Sequence, residues 1–141
     1  MGDRKIKTKL VADTNILFSF FLNNSFTRKF LLNAKIKIIS PIKALKELKK
    51  YSELIIKKTG LNNKIFKIEL NNLKKIVEFK NENDYSSYLN EAEKISPDKD
   101  GASFLALSLK YNCFLWSNDF KLKSQNKVKV LSTKEIIELF F

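Results

Sequence analysis

Residues 7–17 of this chain read KTKLVADTNIL, a short apolar run that stops at an acid followed by two polar residues. Residues 10–12 show no polar alternation, which is typical of a strand buried on both faces of a parallel sheet. Thr14 and Asn15 favour a turn and the start of a helix, and apolar residues at helical spacing follow them. This stretch therefore predicts a strand, a sharp turn and a helix, with Asp13 at the carboxyl end of the strand.

Asp13 has two interpretations from this stretch alone. An aspartate in this position most often caps a helix by accepting a hydrogen bond from a backbone N–H. In open α/β sheets, however, the carboxyl ends of the strands form the edge where ligands bind. The choice depends on whether the chain brings other acids to the same edge.

The composition limits the classes of function. The chain has 141 residues, 44% of them hydrophobic, which is enough for one domain with a sizeable core. It has no histidine and a single cysteine, which exclude His-dependent catalysis and an intramolecular disulfide. We expect Cys113 to be a small buried core residue. Acid–base or metal chemistry would depend mainly on Asp and Glu, whose oxygens favour Mg²⁺ or Mn²⁺.

The chain is strongly basic. Lys and Arg number 27 against 15 Asp and Glu, a formal net charge of +12. Such a surface suits a polyanion, most simply nucleic acid, although an AT-rich genome or adaptation to heat also produces lysine-rich chains. No apolar stretch approaches the ~18 residues that span a bilayer, and residues 1–5 begin no signal region. We therefore expect a cytoplasmic protein with no membrane partner.

Strand and helix patterns alternate along most of the chain. Apolar or alternating runs predict strands at residues 10–12, 35–40, 76–79, 114–117 and 128–131. Helical spacing predicts helices over residues 16–22, 26–34, 42–59, 61–75, 85–95, 102–111 and 134–141. Capping residues are expected at Ser25, at Gly60 and at Ser132 or Thr133, and residues 81–84 are predicted to form a turn. The alternation predicts an α/β fold, a three-layer α/β/α sandwich around a mainly parallel sheet.

Other acids occupy positions comparable to that of Asp13. Asp98 and Asp100 lie in a loop that opens a helix, and Asp119 follows a predicted strand. A parallel sheet would bring these positions to one edge, although turn and capping roles explain each acid equally well on its own. Clustered carboxylates repel one another unless a cation is bound. A divalent metal there would activate water and neutralise phosphate charge, so phosphodiester hydrolysis is the most economical chemistry.

Glu47 lies early in the helix that follows the second predicted strand. Sequence physics alone favours a solvated glutamate that pairs with Lys43 or Lys50 at helical spacing. The same position would also allow it to join the acids at the edge of the sheet.

Together these motifs resemble the PIN domain (PilT N-terminus) ribonucleases, in both order and spacing. The similarity extends over nearly the whole chain and is strongest at residues 11–15, 40–41, 47–48, 96–100, 104–109 and 115–119. The resemblance implies a single PIN-like nuclease domain over residues 1–141. It also implies metal-dependent endoribonuclease activity with Mg²⁺ or Mn²⁺ as the cofactor.

The resemblance assigns roles to individual residues. It implies a catalytic set of Asp13, Glu47, Asp100 and Asp119. The implied metal ligands are Asp13 and Asp119, with Asp100 as the first choice for the third ligand and Asp98 as the second. Hydrogen-bonding groups that would orient these acids are Thr14, Asn15, Ser117 and Asn118.

One position departs from the family's pattern. Members similar to this chain often have acids at the third and fourth places of a D-x-D-D run, and the fourth place here is Gly101. This departure leaves open a catalytically weak or inactive PIN domain that acts as an RNA-binding or scaffold module. A carboxylate-rich phosphatase or receiver-like domain is a third interpretation, disfavoured because no D-x-D pair directly follows the first strand.

The expected partner is RNA, single-stranded, held by lysines such as Lys43, Lys46 and Lys121 in a salt-dependent way. The twelve phenylalanines indicate core packing or, as the alternative, a subunit interface. PIN domains commonly pair, so the resemblance implies a homodimer. An antitoxin protein is a further candidate partner if the chain is the toxin half of a toxin–antitoxin pair.

Overall fold

The computed structural model describes residues 8–22, 25–33 and 35–140, and its strands form one parallel sheet. The strands are β1 (Thr8–Ala12), β2 (Ile36–Pro41), β3 (Val77–Lys80), β4 (Phe114–Trp116) and β5 (Val130–Leu131). Their order is β3-β2-β1-β4-β5, and every neighbouring pair is parallel. Leu10 is paired with Ile38 on one side and Phe114 on the other, so β1 is the central strand.

Helices flank the sheet and complete a three-layer α/β/α sandwich, which confirms the predicted fold class. The α-helices in the described part of the chain are α1 (Thr14–Phe18), α2 (Phe26–Leu31), α3 (Ile42–Lys50), α4 (Ser52–Thr59), α5 (Asn63–Ile76), α6 (Glu82–Tyr85), α7 (Leu89–Ile95), α8 (Ala102–Tyr111) and α9 (Thr133–Phe140). Short 3₁₀ turns cover Ser19–Phe21, Ser86–Tyr88, Lys99–Gly101 and Phe120–Ser124. None of these helices is long and apolar enough to cross a bilayer.

The core lies on both faces of the central strand. Residues 10–12 of β1 are fully buried, as their unbroken apolar run predicts. Trp116 of β4 is also fully buried, and its ring meets that of Phe30 edge-on, with centroids 5.1 Å apart. Core packing is therefore confirmed for aromatic residues such as Phe30, whereas Phe120 is 80% exposed.

The predicted capping residues are confirmed. The Oγ of Ser25 accepts a hydrogen bond from the N–H of Arg28 at 3.0 Å, and Gly60 ends α4 in the left-handed conformation with φ +75°. At the start of α9, the Oγ of Ser132 accepts from the N–H of Glu135 at 3.2 Å. These three residues cap α2, α4 and α9, which contribute the buried side chains Phe30, Ile55 and Ile136 to the core.

Three elements differ from the sequence prediction. The helix predicted over residues 85–95 is divided into the 3₁₀ turn Ser86–Tyr88 and α7 (Leu89–Ile95), because the backbone leaves helical geometry at Tyr85 (φ −121°, ψ 10°). The helix predicted over residues 42–59 is broken at Tyr51 (φ −98°, ψ 21°), where the chain turns so that Ile55 of α4 is fully buried. The turn predicted over residues 81–84 is instead the start of α6. Asp84 accepts a hydrogen bond from the Tyr111 hydroxyl at 2.7 Å, a tertiary contact that a local pattern does not contain.

The remaining differences are small. The final strand pairs only at Val130–Leu131, at the end of the predicted segment 128–131. Cys113 is half-buried rather than fully buried, and burial raises the pKa of its thiol to about 11, which favours an inert structural residue. Predictions that concern residues 1–5, Ala34 and Phe141 lie outside the described residues.

Candidate functional site

A pocket of about 610 Å³ opens where the carboxyl ends of β1 and β4 lie side by side. The acids singled out from the sequence all line it; they are Asp13, Glu47, Asp98, Asp100 and Asp119. They come from four separate stretches of the chain. The parallel sheet therefore brings the acids to one edge, as their positions at strand ends and helix starts predict.

Asp13 is the most buried of these acids, with 8% of its surface exposed. Its Oδ1 accepts a hydrogen bond from the N–H of Ile16 at 2.9 Å and so caps α1. Burial raises the pKa of Asp13, and the nearby charge of Asp119 raises it further, while hydrogen bonds from Ser117 and Ile16 lower it. Asp13 thus both caps a helix and presents to the pocket a carboxylate whose charge a cation would stabilise.

Ser117 connects the two acids at the strand ends. It is buried, with 1% of its surface exposed; its hydroxyl hydrogen-bonds to Asp13 and accepts from the N–H of Asp119 at 3.0 Å. The carboxylate of Asp119 accepts from the N–H of Lys121 at 3.0 Å and is otherwise open to solvent. One buried serine therefore holds both acids in place relative to each other.

Glu47 is held by Thr14 across the pocket wall. The hydroxyl of Thr14 donates to Oε1 of Glu47 at 2.7 Å, which joins the start of α1 to the second turn of α3. Among the described residues, Glu47 forms no ion pair with Lys43 or Lys50, so the solvated pairing favoured from sequence physics is wrong.

Asp98 and Asp100 both line the pocket, so the structure leaves both as candidates for the third ligand. Asp98 accepts a hydrogen bond from the N–H of Gly101 at 2.9 Å. The side chain of Asp100 is 95% exposed. The Nζ of Lys43 donates to the Asp100 carbonyl at 3.1 Å and lies 3.8 Å from its carboxylate Oδ1. Lys43 therefore ties the loop that carries both acids to α3.

Gly101 is closely surrounded. A Cβ atom at this position would lie 2.8 Å from Cδ2 of Leu122 and 3.0 Å from Oγ of Ser96. The loop has packed around a glycine, and a carboxylate side chain has no room there without a shift of its neighbours.

The polar residues predicted to orient the acids divide into two groups. Thr14 and Asn15 line the pocket, and Ser117 lies directly behind Asp13. Asn118 does not line the pocket. Its Oδ1 accepts from the N–H of Thr133 at 2.8 Å, and its Nδ2 donates to the Thr133 hydroxyl at 3.1 Å. Asn118 thus connects the loop after β4 to the start of α9.

The donor atoms at the pocket are carboxylate, hydroxyl and amide oxygens, the set that Mg²⁺ and Mn²⁺ prefer. In donor chemistry the residues present therefore fit a hard divalent cation. Within residues 8–22, 25–33 and 35–140, however, no three Asp, Glu or Cys side chains are arranged closely enough to hold a metal ion. In Asp13 and Asp98, one carboxylate oxygen accepts a capping hydrogen bond, and the side chain of Asp100 extends into solvent.

The apolar wall of the pocket was not predicted as part of the site. It includes Phe18, Tyr51 and Leu54, with Lys58 beside them. The signal that identifies it is helical spacing, because Phe18 and Tyr51 each follow a polar pocket residue by four positions, Thr14 and Glu47 respectively.

Comparison with known proteins identifies the family. No curated protein matches the chain. A family model described as a PIN domain matches residues 11–138, from within β1 to within α9. This match agrees with the all-parallel sheet and with the acid-lined pocket at its carboxyl edge. The chain belongs to the PIN domain family.

Proposed function

We propose that this protein is a metal-dependent endoribonuclease that hydrolyses RNA phosphodiester bonds at the acid-lined pocket. PIN domains are generally nucleases, and they typically use divalent metal ions. The observation that carries the proposal is the convergence of five acidic residues from four stretches of the chain on one pocket. The proposed cofactor is Mg²⁺ or Mn²⁺.

Each acid has a proposed part in this reaction. Asp13, Asp100 and Asp119 would hold the metal, with Asp98 as the alternative third ligand, and Glu47 completes the catalytic set. When bound, the metal supplies an activated water and neutralises charge on the phosphate. Ser117 keeps Asp13 and Asp119 in register, Thr14 fixes one oxygen of Glu47, and Lys43 restrains the loop that carries Asp100.

The proposed substrate is single-stranded RNA. A net charge of +12 favours a polyanion, and exposed Lys46 and Lys121 lie on the helix of Glu47 and beside Asp119. These lysines would contact the phosphate backbone on either side of the pocket.

A cleavage assay with Mn²⁺ and a single-stranded RNA tests the proposal. The wild-type protein should cut, and Asp13→Asn should cut at least about 100-fold more slowly, since losing a group that only supports a metal ligand already costs about 10–100-fold. Glu93→Gln, which removes an exposed acid on α7 outside the pocket, serves as the matched control and should cut normally. Equal cleavage by the wild type and Asp13→Asn would contradict the proposal, as would cleavage that EDTA does not abolish.

A specific observation favours a second function, an RNA-binding or scaffold PIN domain without catalysis. An acid at position 101, the fourth place of a D-x-D-D run, would overlap Leu122 and Ser96 unless they moved, and Asp100 extends into solvent towards Lys43. Salt-dependent RNA binding by the wild type, with no cleavage in Mn²⁺ or Mg²⁺, would support this second function over the first.

The homodimer, the antitoxin partner and the cytoplasmic location stay predictions from the sequence. Exposed Leu32 of the turn after α2 and Leu139 of α9 provide apolar surface outside the pocket. Sedimentation of the purified protein would measure whether two copies associate.

A further inference from the structure

The pocket has two chemically different parts. One part carries the acids, and the other is the apolar wall made by Phe18, Tyr51 and Leu54. Ile55 and Leu48 are buried beneath it, whereas Tyr51 is 47% and Leu54 is 44% exposed. Hydrolysis of a phosphodiester does not by itself require an exposed aromatic wall, so this part of the pocket needs another explanation.

The apolar wall begins one helical turn away from the acids. Phe18 follows Thr14 by four residues on α1, and Tyr51 follows Glu47 by four residues at the end of α3. Four residues advance a helix by about 6 Å and return to nearly the same face. Thr14 and Glu47 are joined by a hydrogen bond of 2.7 Å, and both line the same pocket as Phe18 and Tyr51. A ligand bound at the acids is therefore next to the two aromatic residues.

Two lysines accompany the aromatic rings. The Nζ of Lys58 lies 6.0 Å from the centroid of the Phe18 ring, and the Nζ of Lys50 lies 5.5 Å from that of Tyr51. Within the part of the chain that the structure describes, neither lysine forms an ion pair with a carboxylate. Both cations are therefore free to meet an anionic ligand that lies against the wall.

We propose that the apolar wall is a subsite for one unstacked nucleobase next to the phosphate at the acids, with Tyr51 as its principal stacking surface. This inference rests on the proposed function, because it takes RNA as the ligand of the same pocket. A nucleotide combines a flat apolar surface with a phosphate, so it would cover the wall and neutralise Lys50 and Lys58 together. An apolar protein segment would cover the wall but leave both lysines uncompensated. Only an unpaired base can enter, so the subsite selects single strands.

The first measurement compares two ligands on the wild-type protein. One is a fluorescein-labelled oligouridylate of eight nucleotides, and the other is the same chain of eight ribose phosphates without bases. Fluorescence anisotropy in a Ca²⁺ buffer should give an affinity about tenfold lower for the baseless chain, the size expected for one stacked base. Equal affinities would overturn the inference and leave a protein segment as the better occupant of the wall.

The second measurement uses variants of the wall. Tyr51→Ala should bind oligouridylate about tenfold more weakly and the baseless chain unchanged, while Tyr51→Phe should retain wild-type affinity for both. Leu54→Ala is a second, milder variant of the same wall. Ile68→Ala is the matched control, since Ile68 is 47% exposed on α5 and does not line the pocket. If Tyr51→Ala lowered the affinity for both ligands equally, the inference would be overturned, because general damage to the protein would have that effect.

These outcomes separate this inference from the proposed function. The binding comparison requires no cleavage, whereas the Mn²⁺ assay with Asp13→Asn measures cleavage alone. Base-dependent affinity without cleavage would reject the nuclease and support the subsite. Cleavage by the wild type with equal affinity for both ligands would reject the subsite and support the nuclease.

Discussion

Asp13 carries its charge in surroundings that disfavour it. The carboxylate is nearly buried, and Asp119 lies close by, so its pKa stands above the ordinary value of 3.8 despite the hydrogen bonds that it accepts. The folded chain therefore binds this proton more tightly than the unfolded chain does. The capping hydrogen bond to Ile16 needs only an oxygen acceptor, which an asparagine also supplies.

This difference predicts a pH dependence of stability in metal-free protein. Protonation of Asp13 stabilises the fold, and this contribution is fully present below pH 3.8. It is lost as the pH rises through the raised pKa that Asp13 has in the folded state. Urea unfolding in EDTA from about pH 4 to about pH 7 should therefore show a steeper loss of stability for the wild type than for Asp13→Asn. If the stability of the two proteins changed with pH in parallel, the result would contradict a raised pKa for Asp13.

Gly101 gives a prediction about packing. Gly101→Ala should lower the free energy of unfolding by about 1–3 kcal/mol, because the new Cβ overlaps Leu122 and Ser96. In a Leu122→Ala background the overlap with Leu122 is removed, so the same substitution should cost less. A double-mutant cycle by urea unfolding measures this coupling, and additive costs would contradict the contact.

At the level of elements, the break between α3 and α4 shows where local patterns stop being informative. Apolar residues continue at helical spacing from Ala44 to Ile55, and no proline or glycine interrupts them. The chain nevertheless leaves helical geometry at Tyr51 (φ −98°, ψ 21°), and Ile55 of the following helix α4 is fully buried. The break depends on tertiary packing, so the sequence pattern could not reveal it.

The residues of the candidate site also differ in how well the sequence pattern predicts their position. Asp13 and Asp119 were predictable because each follows a buried strand, and parallel strands end at one edge. Asp98 and Asp100 lie in a loop, where no periodicity fixes which side chain faces the pocket. The contact of Lys43 with Asp100 joins residues 57 positions apart and has no local signature.

The start of α9 provides a prediction about capping. Ser132 and Glu135 satisfy each other's backbone N–H groups, with distances of 3.2 Å to the Ser132 Oγ and 3.0 Å to the Glu135 Oε1. Ser132→Ala should therefore lower the free energy of unfolding by about 0.5–2 kcal/mol. Exposed Ser124 of the preceding 3₁₀ turn gives the matched control, and Ser124→Ala should unfold at the wild-type urea concentration.

At the scale of the whole molecule, the net positive charge is large. The contribution of each lysine to RNA binding depends on where it lies relative to the pocket. Lys58 lines the pocket, whereas Lys129 precedes β5 at the opposite, amino-terminal edge of the sheet. Each cation that neutralises a phosphate of a single strand contributes about 0.7 to the slope of log affinity against log salt.

The salt dependence of RNA binding should therefore distinguish these two lysines. Lys58→Met should reduce the magnitude of the slope for oligouridylate by about 0.7, and Lys129→Met should leave it unchanged. Anisotropy titrations over a range of KCl concentrations measure both slopes. Equal reductions would mean that RNA contacts the protein through diffuse charge rather than through the pocket.

The overall architecture was predictable from alternation alone. Buried apolar runs separated by helical patterns allow few arrangements other than a parallel sheet covered on both faces. The observed order β3-β2-β1-β4-β5 places β1, whose residues 10–12 are fully buried, at the centre. The extent of the edge strand β5 was overpredicted, because Val128 is buried without pairing in the sheet.

The close fit of Leu122 against Gly101 also constrains the evolution of the loop. A D-x-D-D run would require an acid at position 101, and that substitution is disfavoured while Leu122 is present. Shortening Leu122 first opens a cavity in the core and is itself harmful. A D-x-D-D loop would therefore require this chain to move or shorten Leu122 as well as to change position 101.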